Sequence, residues 1–268
     1  MNLAALSDKT IAIVRRDLLT AIRYRTGFLI TAAGTAAELA AFYYLARAVG
    51  PDFRPEGIDY FPFLLVGTGF YTFLVTGINA FLVTVQEAQQ TGTLEVLMTT
   101  STPPAVLLFL STLSAFAGST VQLAFYLGAG LLWSRSAFHP NVVGCIVMFL
   151  LSLGIAVAFG MFAAALQLAV QKGSALVWLL GSGAWFMTGT LFPVSALPRP
   201  LQWLGQWIPV THALTGMRLA LLQGATFAAL RNEIAILAGF CGLLLPLSLA
   251  VFSYTLRRAR QQGTLSFY

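Results

Sequence analysis

Glu38 is the one acidic residue well inside an apolar run of this chain. A carboxylate at that depth is a candidate proton carrier or part of a cavity wall, because hydrocarbon does not solvate a charge. It also reads as a protonated group bonded to a neighbouring helix, since the sequence offers it no obvious basic partner. Asn79, Gln122 and Gln167 are expected to bond across helices, each contributing about 0.6–2 kcal/mol. His139 and His212 fall in different segments, so a shared site is not expected. The only lysines are Lys9 and Lys172, and neither follows a phosphate-cradling glycine loop. Metalloprotease, serine-hydrolase and Cys/His metal spacings are all missing. The sequence therefore predicts no metal, no cofactor held by this chain and no catalysis by the chain alone.

The elements around these residues are set by composition. Of 268 residues, 58% are hydrophobic and only 9% charged. Soluble domains are about 45–50% apolar and about 25% charged, so a water-exposed surface cannot be built from these residues. A soluble enzyme, a disordered protein and a nucleic-acid-binding module are excluded. The expected fold is an all-α polytopic membrane protein, a single transmembrane domain over residues 1–268. Cys145 and Cys241 lie in apolar runs and read as small apolar fillers. The first strongly apolar run starts behind a long charged segment and lacks a small-residue cleavage site, so it reads as a retained span rather than a signal peptide.

Length and polarity predict six spans, at Gly27–Ala46, Phe61–Val83, Val106–Trp133, Val142–Val170, Ala175–Leu191 and Ile234–Tyr254. Six spans put both termini on one side. A cytoplasmic placement leaves nine Lys or Arg inside and six outside, with clusters at both ends of the chain. The basic excess is read as contact with anionic lipid, not nucleic acid. Before the first span, Ile11, Val14, Leu18 and Ile22 form one stripe, predicting an amphipathic interface helix over residues 6–26; the alternative is a plain extension of span one. On span four, Ser152, Ala156, Gly160 and Ala164 recur every four positions and allow close helix approach, either within the chain or at a dimer seam. Phe70, Tyr71 and Phe73 read either as path-lining or as lipid-facing aromatics.

Two connections carry unusual chemistry. The segment over residues 85–104 is cytoplasmic by this topology, yet contains Glu87 and Glu95 and neither Lys nor Arg. Thr93 can cap a short helix through Val96–Met98, with Gly92 turning into it and Pro103-Pro104 stopping it. Its apolar residues at an aqueous surface are explained by a protein partner or by folding back onto the bundle. The segment over residues 192–232 is too apolar for a solvated loop, and prolines cut it into helices too short to span. Leu201, Leu204 and Ile208 share one face, and Trp203 and Trp207 sit four apart. Short re-entrant or interfacial helices fit, as does a compact outer cap.

Together these segments resemble a known family. Glu87 followed by Thr91-Gly92-Thr93-Leu94-Glu95-Val96-Leu97 resembles the E-x-x-x-[TS]-G-T-L-E-x-L element of the ABC-2 type permeases, the membrane subunits of ATP-binding-cassette exporters. Phe192-Pro193-Val194-Ser195-Ala196-Leu197-Pro198, with Ile208-Pro209-Val210-Thr211-His212-Ala213-Leu214 and Met217-Arg218, resembles that family's outer element between spans five and six. The resemblance implies a dimer of permeases driven by two separate cytoplasmic ATPase subunits, which hold the ATP and Mg. It implies an ATPase-coupling role for Glu87, Thr91, Gly92, Thr93, Leu94, Glu95 and Leu97. It also implies an exit bordered by the outer element of Phe192, Pro193, Pro198, Trp203, Trp207 and Pro209. No Trp or Pro follows Gly27-Phe28 until Pro51, unlike polysaccharide exporters of the family, so a drug, lipid or other amphiphile is the expected cargo. The expected location is the inner (plasma) membrane. The rival readings are an ion-coupled secondary transporter using Glu38 and, less favoured for want of clustered polar groups, a membrane-embedded lipid enzyme.

Overall fold

The structure, a computed structural model, describes residues 25–93, 104–133, 140–170 and 181–262. Within these, the chain forms α1 (Arg25–Val49), α2 (Tyr60–Gln90), α3 (Pro104–Trp133), α4 (Val142–Val170), α5 (181–187), α6 (Arg199–Gln206), α7 (Pro209–Leu222) and α8 (Phe227–Gln262). Single 3-10 turns occupy Pro55–Gly57 and Val194–Ala196. No strand occurs among the described residues.

Continuous apolar runs account for the long helices, since a backbone in hydrocarbon must satisfy its own hydrogen bonds. Among the described residues, four helices are long and apolar enough to cross a membrane: α2, α3 over Val106–Gly130, α4 and α8. Helix α1 has the length, at 25 residues or about 38 Å. Thr31, Thr35, Glu38 and Arg47 dilute its apolar character. The predicted fifth span lies partly outside the described residues. Its described part ends at residue 187, four short of the predicted Leu191. Gly189 in the left-handed region (φ 78°) turns the chain there, and the Thr188 and Thr190 hydroxyls pair at 3.0 Å. Helices α2 and α8 overrun their predicted spans, α2 by two turns to Gln90 and α8 at both ends.

Helix α2 is the centre of the bundle. Phe63, Leu64, Leu65, Phe70, Phe73 and Phe81 are buried on it, against α3, α4 and α7. Phe70, Tyr71 and Phe73 are therefore core residues, neither path-lining nor lipid-facing. The small-residue stripe of α4 is buried inside the chain, and a side chain at Gly160 would collide with the Phe81 ring. The stripe thus serves the intrachain fit.

Four connections meet at one end of the bundle. Tyr60 Oη donates to Leu191 O (3.3 Å), and Gln223 Nε2 to Glu56 O (3.1 Å). Asn141 donates its backbone N–H to Ala220 O (2.9 Å) and its amide to Ala225 O (2.8 Å). The α2–α3 connection leaves from the opposite end, where Gln89 faces Gln167 in the last turn of α4 at 3.4 Å. The inter-helix bond expected of Gln167 is thus present. Asn79 and Gln122 differ: both are exposed and make no side-chain hydrogen bond to the described residues.

Candidate functional site

At the end where α2 gives way to the α2–α3 connection, Glu87 lies exposed on the last helical turn rather than in a loop. Thr91 closes the helix, its N–H (2.9 Å) and hydroxyl (2.8 Å) both donating to Glu87 O. Gly92 follows at φ 67°, a left-handed conformation that glycine adopts freely, and its N–H reaches Gln89 O at 3.4 Å. The Thr93 hydroxyl meets that of Thr91 at 2.9 Å. Gly92 therefore terminates α2 as well as turning the chain. Leu94, Glu95 and Leu97 lie outside the described residues, as do His139 and all but the last two residues of the interface helix expected over residues 6–26.

At the other end, prolines divide the outer segment as its sequence predicts. Pro193 precedes the 3-10 turn, Pro198 precedes α6, and Pro209 opens α7, where a missing N–H costs no helical bond. Gln202 Nε2 ties α6 back by donating to Ser195 O (2.9 Å) and Leu197 O (2.6 Å). Trp203 and Trp207 are 61% and 64% exposed and pack edge to face, centroids 6.1 Å apart. With Phe192, Leu201 and Leu204 also exposed, α6 presents the apolar, indole-bearing surface that suits a bilayer interface.

Beneath it lies a residue that the sequence reading placed among the outer bases and in the Met217-Arg218 motif, with no role of its own. Arg218 of α7 is 1% exposed. Its Nη2 donates to Phe63 O (3.2 Å) and Thr190 O (3.0 Å), and Cζ lies 3.5 Å from the Phe63 ring centroid. Nε has no partner among the described residues. The guanidinium thus joins α7, the turn after α5 and the first turns of α2. Gly67 leaves room for it, because a Cβ there would strike both Arg218 and Thr190 O. The signal in the sequence was a single arginine within the otherwise apolar stretch Pro209–Leu222.

Beside it, His212 Nδ1 lies 2.7 Å from Glu233 Oε2 and Nε2 lies 2.9 Å from Gln206 O. Both partners accept, so the ring that satisfies both carries two protons. The hydrogen bond that the ring donates to Glu233 holds the imidazole above its ordinary pKa, against the opposing effect of burial, with further help from the Gln206 carbonyl. The ion pair ties α7 to α8. Its partners are 21 residues apart, a separation that no local pattern reveals.

Glu38 lies between these ends, in a groove of about 360 Å³ where α1, α2 and α3 meet. Thr35 lines it from α1, Thr72 and Thr76 from α2, and Gln122 and Tyr126 from α3. Tyr126 turns its hydroxyl away to Thr68 Oγ1 (2.9 Å) and presents its ring to the groove. No group of three or more potential metal ligands occurs among the described residues.

The family described as ABC-2 family transporter protein matches residues 51–250. That stretch spans α2 to most of α8, including the outer element and the Gly92 turn. No curated protein matches the chain.

Proposed function

Because the chain belongs to the ABC-2 transporter family, a family of membrane transport proteins, we propose that it is the permease subunit of an ATP-binding-cassette exporter. Two copies form the translocation path, and two ATPase subunits, separate chains that hold ATP and Mg, drive it. The match over residues 51–250 carries this reading. The long apolar helices and the lack of a phosphate-cradling loop in the sequence are in keeping with it. All six predicted spans cross the inner membrane, with both termini cytoplasmic. The basic clusters Arg15–Arg16 and Arg257–Arg258–Arg260 lie on that side by the positive-inside rule.

On this reading the segment from Glu87 to Leu97 docks on the ATPase, with Glu87 and Glu95 accepting from its basic side chains. The outer element borders the exit. The cargo is a drug, lipid or other amphiphile. Closure of the ATPases on ATP changes the access of the path by displacing the segment they grip. Affinity purification of the full chain from its native membrane should bring down a P-loop ATPase. Glu95→Arg should lose that ATPase while the permease still inserts. Recovery of wild-type amounts of ATPase with Glu95→Arg would refute the docking role, and recovery of none with the wild type would refute the exporter.

A further inference from the structure

We propose that the groove around Glu38 binds the ammonium head of an organic amine; that this amine is cargo rests on the permease reading. Glu38 stands about 20 Å along α1 from Arg25 and about 14 Å from Arg47, near the middle of the helix. A carboxylate is too short to reach the aqueous interface from there, so its charge needs a partner at that depth. None is supplied locally. Helices α2 and α3 contain neither Lys nor Arg, and Glu38 makes no hydrogen bond or ion pair with the described residues.

The walls are just as unsatisfied. Threonine inside a helix commonly donates to the carbonyl one turn back, as Thr84 does to Ala80 O at 2.7 Å and Thr120 to Phe116 O at 2.7 Å. Thr35, Thr72 and Thr76 do not, nor does Gln122 find a partner among the described residues. Glu38, Thr72, Thr76 and Gln122 are all exposed. A face of this kind is not stable against lipid tails, so it lines a wet or liganded space.

The donor set selects the ligand. One carboxylate, three hydroxyl oxygens and one amide oxygen can all accept hydrogen bonds. An ammonium offers up to three donors and one positive charge. An anion would meet Glu38 with no compensating base.

The test is equilibrium binding of dansylcadaverine, a fluorescent primary amine, to the full chain in maltoside micelles, compared with its N-acetylated neutral form. The amine should bind about ten- to hundredfold more tightly. Glu38→Gln should abolish that preference, and Glu38→Asp should retain part of it. Adding phosphatidylethanolamine separates the two natural sources of an ammonium: competition places it on a lipid, and lack of competition on a soluble amine. Equal binding of amine and acetylated amine by the wild type would overturn the proposal, as would an undiminished preference in Glu38→Gln. Neither measurement involves an ATPase, so the groove can fail while the exporter stands, and the converse.

Discussion

Gly67 is the position at which a single methyl group should do most damage. A Cβ there would lie against Arg218 Nη2 and 2.5 Å from Thr190 O. The guanidinium cannot simply step aside, because it is 1% exposed and covers the Phe63 ring. To admit the methyl it must give up one or both of its carbonyl partners. Each hydrogen bond to a charged group contributes about 1.5–3 kcal/mol. Overpacking adds about 1–3 kcal/mol. Gly67→Ala should therefore cost about 2.5–6 kcal/mol if one partner is lost and up to about 9 if both are, a fall in Tm of about 5 °C or more for a chain of this size. Tryptophan fluorescence on heating in maltoside micelles reads it directly, since Trp185, Trp203 and Trp207 all lie near the affected end. In an Arg218→Ala background the clash with the guanidinium is gone and only Thr190 O remains. The methyl should then cost at least about 1 kcal/mol less. A Gly67→Ala protein that melts within about 1 °C of wild type, or loses as much stability with Arg218 as without it, would refute this account of the outer joint.

The His212–Glu233 pair makes outer-end stability depend on pH. Because the folded pKa is raised, the contribution is full below the unfolded value of about 6.5 and is lost as pH rises through the folded value. Tm should fall across that window in the wild type and stay flatter in Glu233→Gln. Gly160→Val should push two further carbons into the Phe81 ring and cost about 1–3 kcal/mol in the same melting assay, with no effect expected on ATPase co-purification. A wild-type Tm for that variant would show that α2 and α4 do not meet as described.

Four of the predicted spans, now α2, α3, α4 and α8, were legible because hydropathy is a property of a continuous window. Helix α4 begins at the predicted residue, Val142, and its described part runs to Val170. The overrun of α2 was not legible: Gln86, Glu87, Gln89 and Gln90 look like loop composition, yet Gln89 is buried against Gln167. One tertiary contact outweighed local polarity there. The prolines of the outer segment were sufficient to place its short helices, because each acts on its own backbone. Arg218 and His212 could not be assigned in the same way. Their roles depend on Phe63, Thr190 and Glu233, which only the fold brings close. Asn79 and Gln122 were read as bonds between helices because a polar residue in a span usually finds one. Their exposure is information about what lies beside α2 and α3, which a single chain does not contain.

Helix α2 also links the two ends mechanically. It is unbroken over 31 residues, about 46 Å, and its only proline, Pro62, sits in the first turn. Near that turn the Phe63 carbonyl is held by Arg218, and beyond its last turn lie Thr91 and Gly92. Its middle is packed on most sides by α3 and α4, and close-packed interiors shift between discrete arrangements rather than deforming continuously. A partner pressing on Thr91–Thr93 would therefore move α2 largely as a rod. Thr72 and Thr76 would move with it, and Glu38 on α1 would not be obliged to follow. Such a displacement alters the groove before it alters the core. That places the amine site where a push from the inner end could change its affinity, and it gives Arg218 the task of carrying the same movement into the outer element.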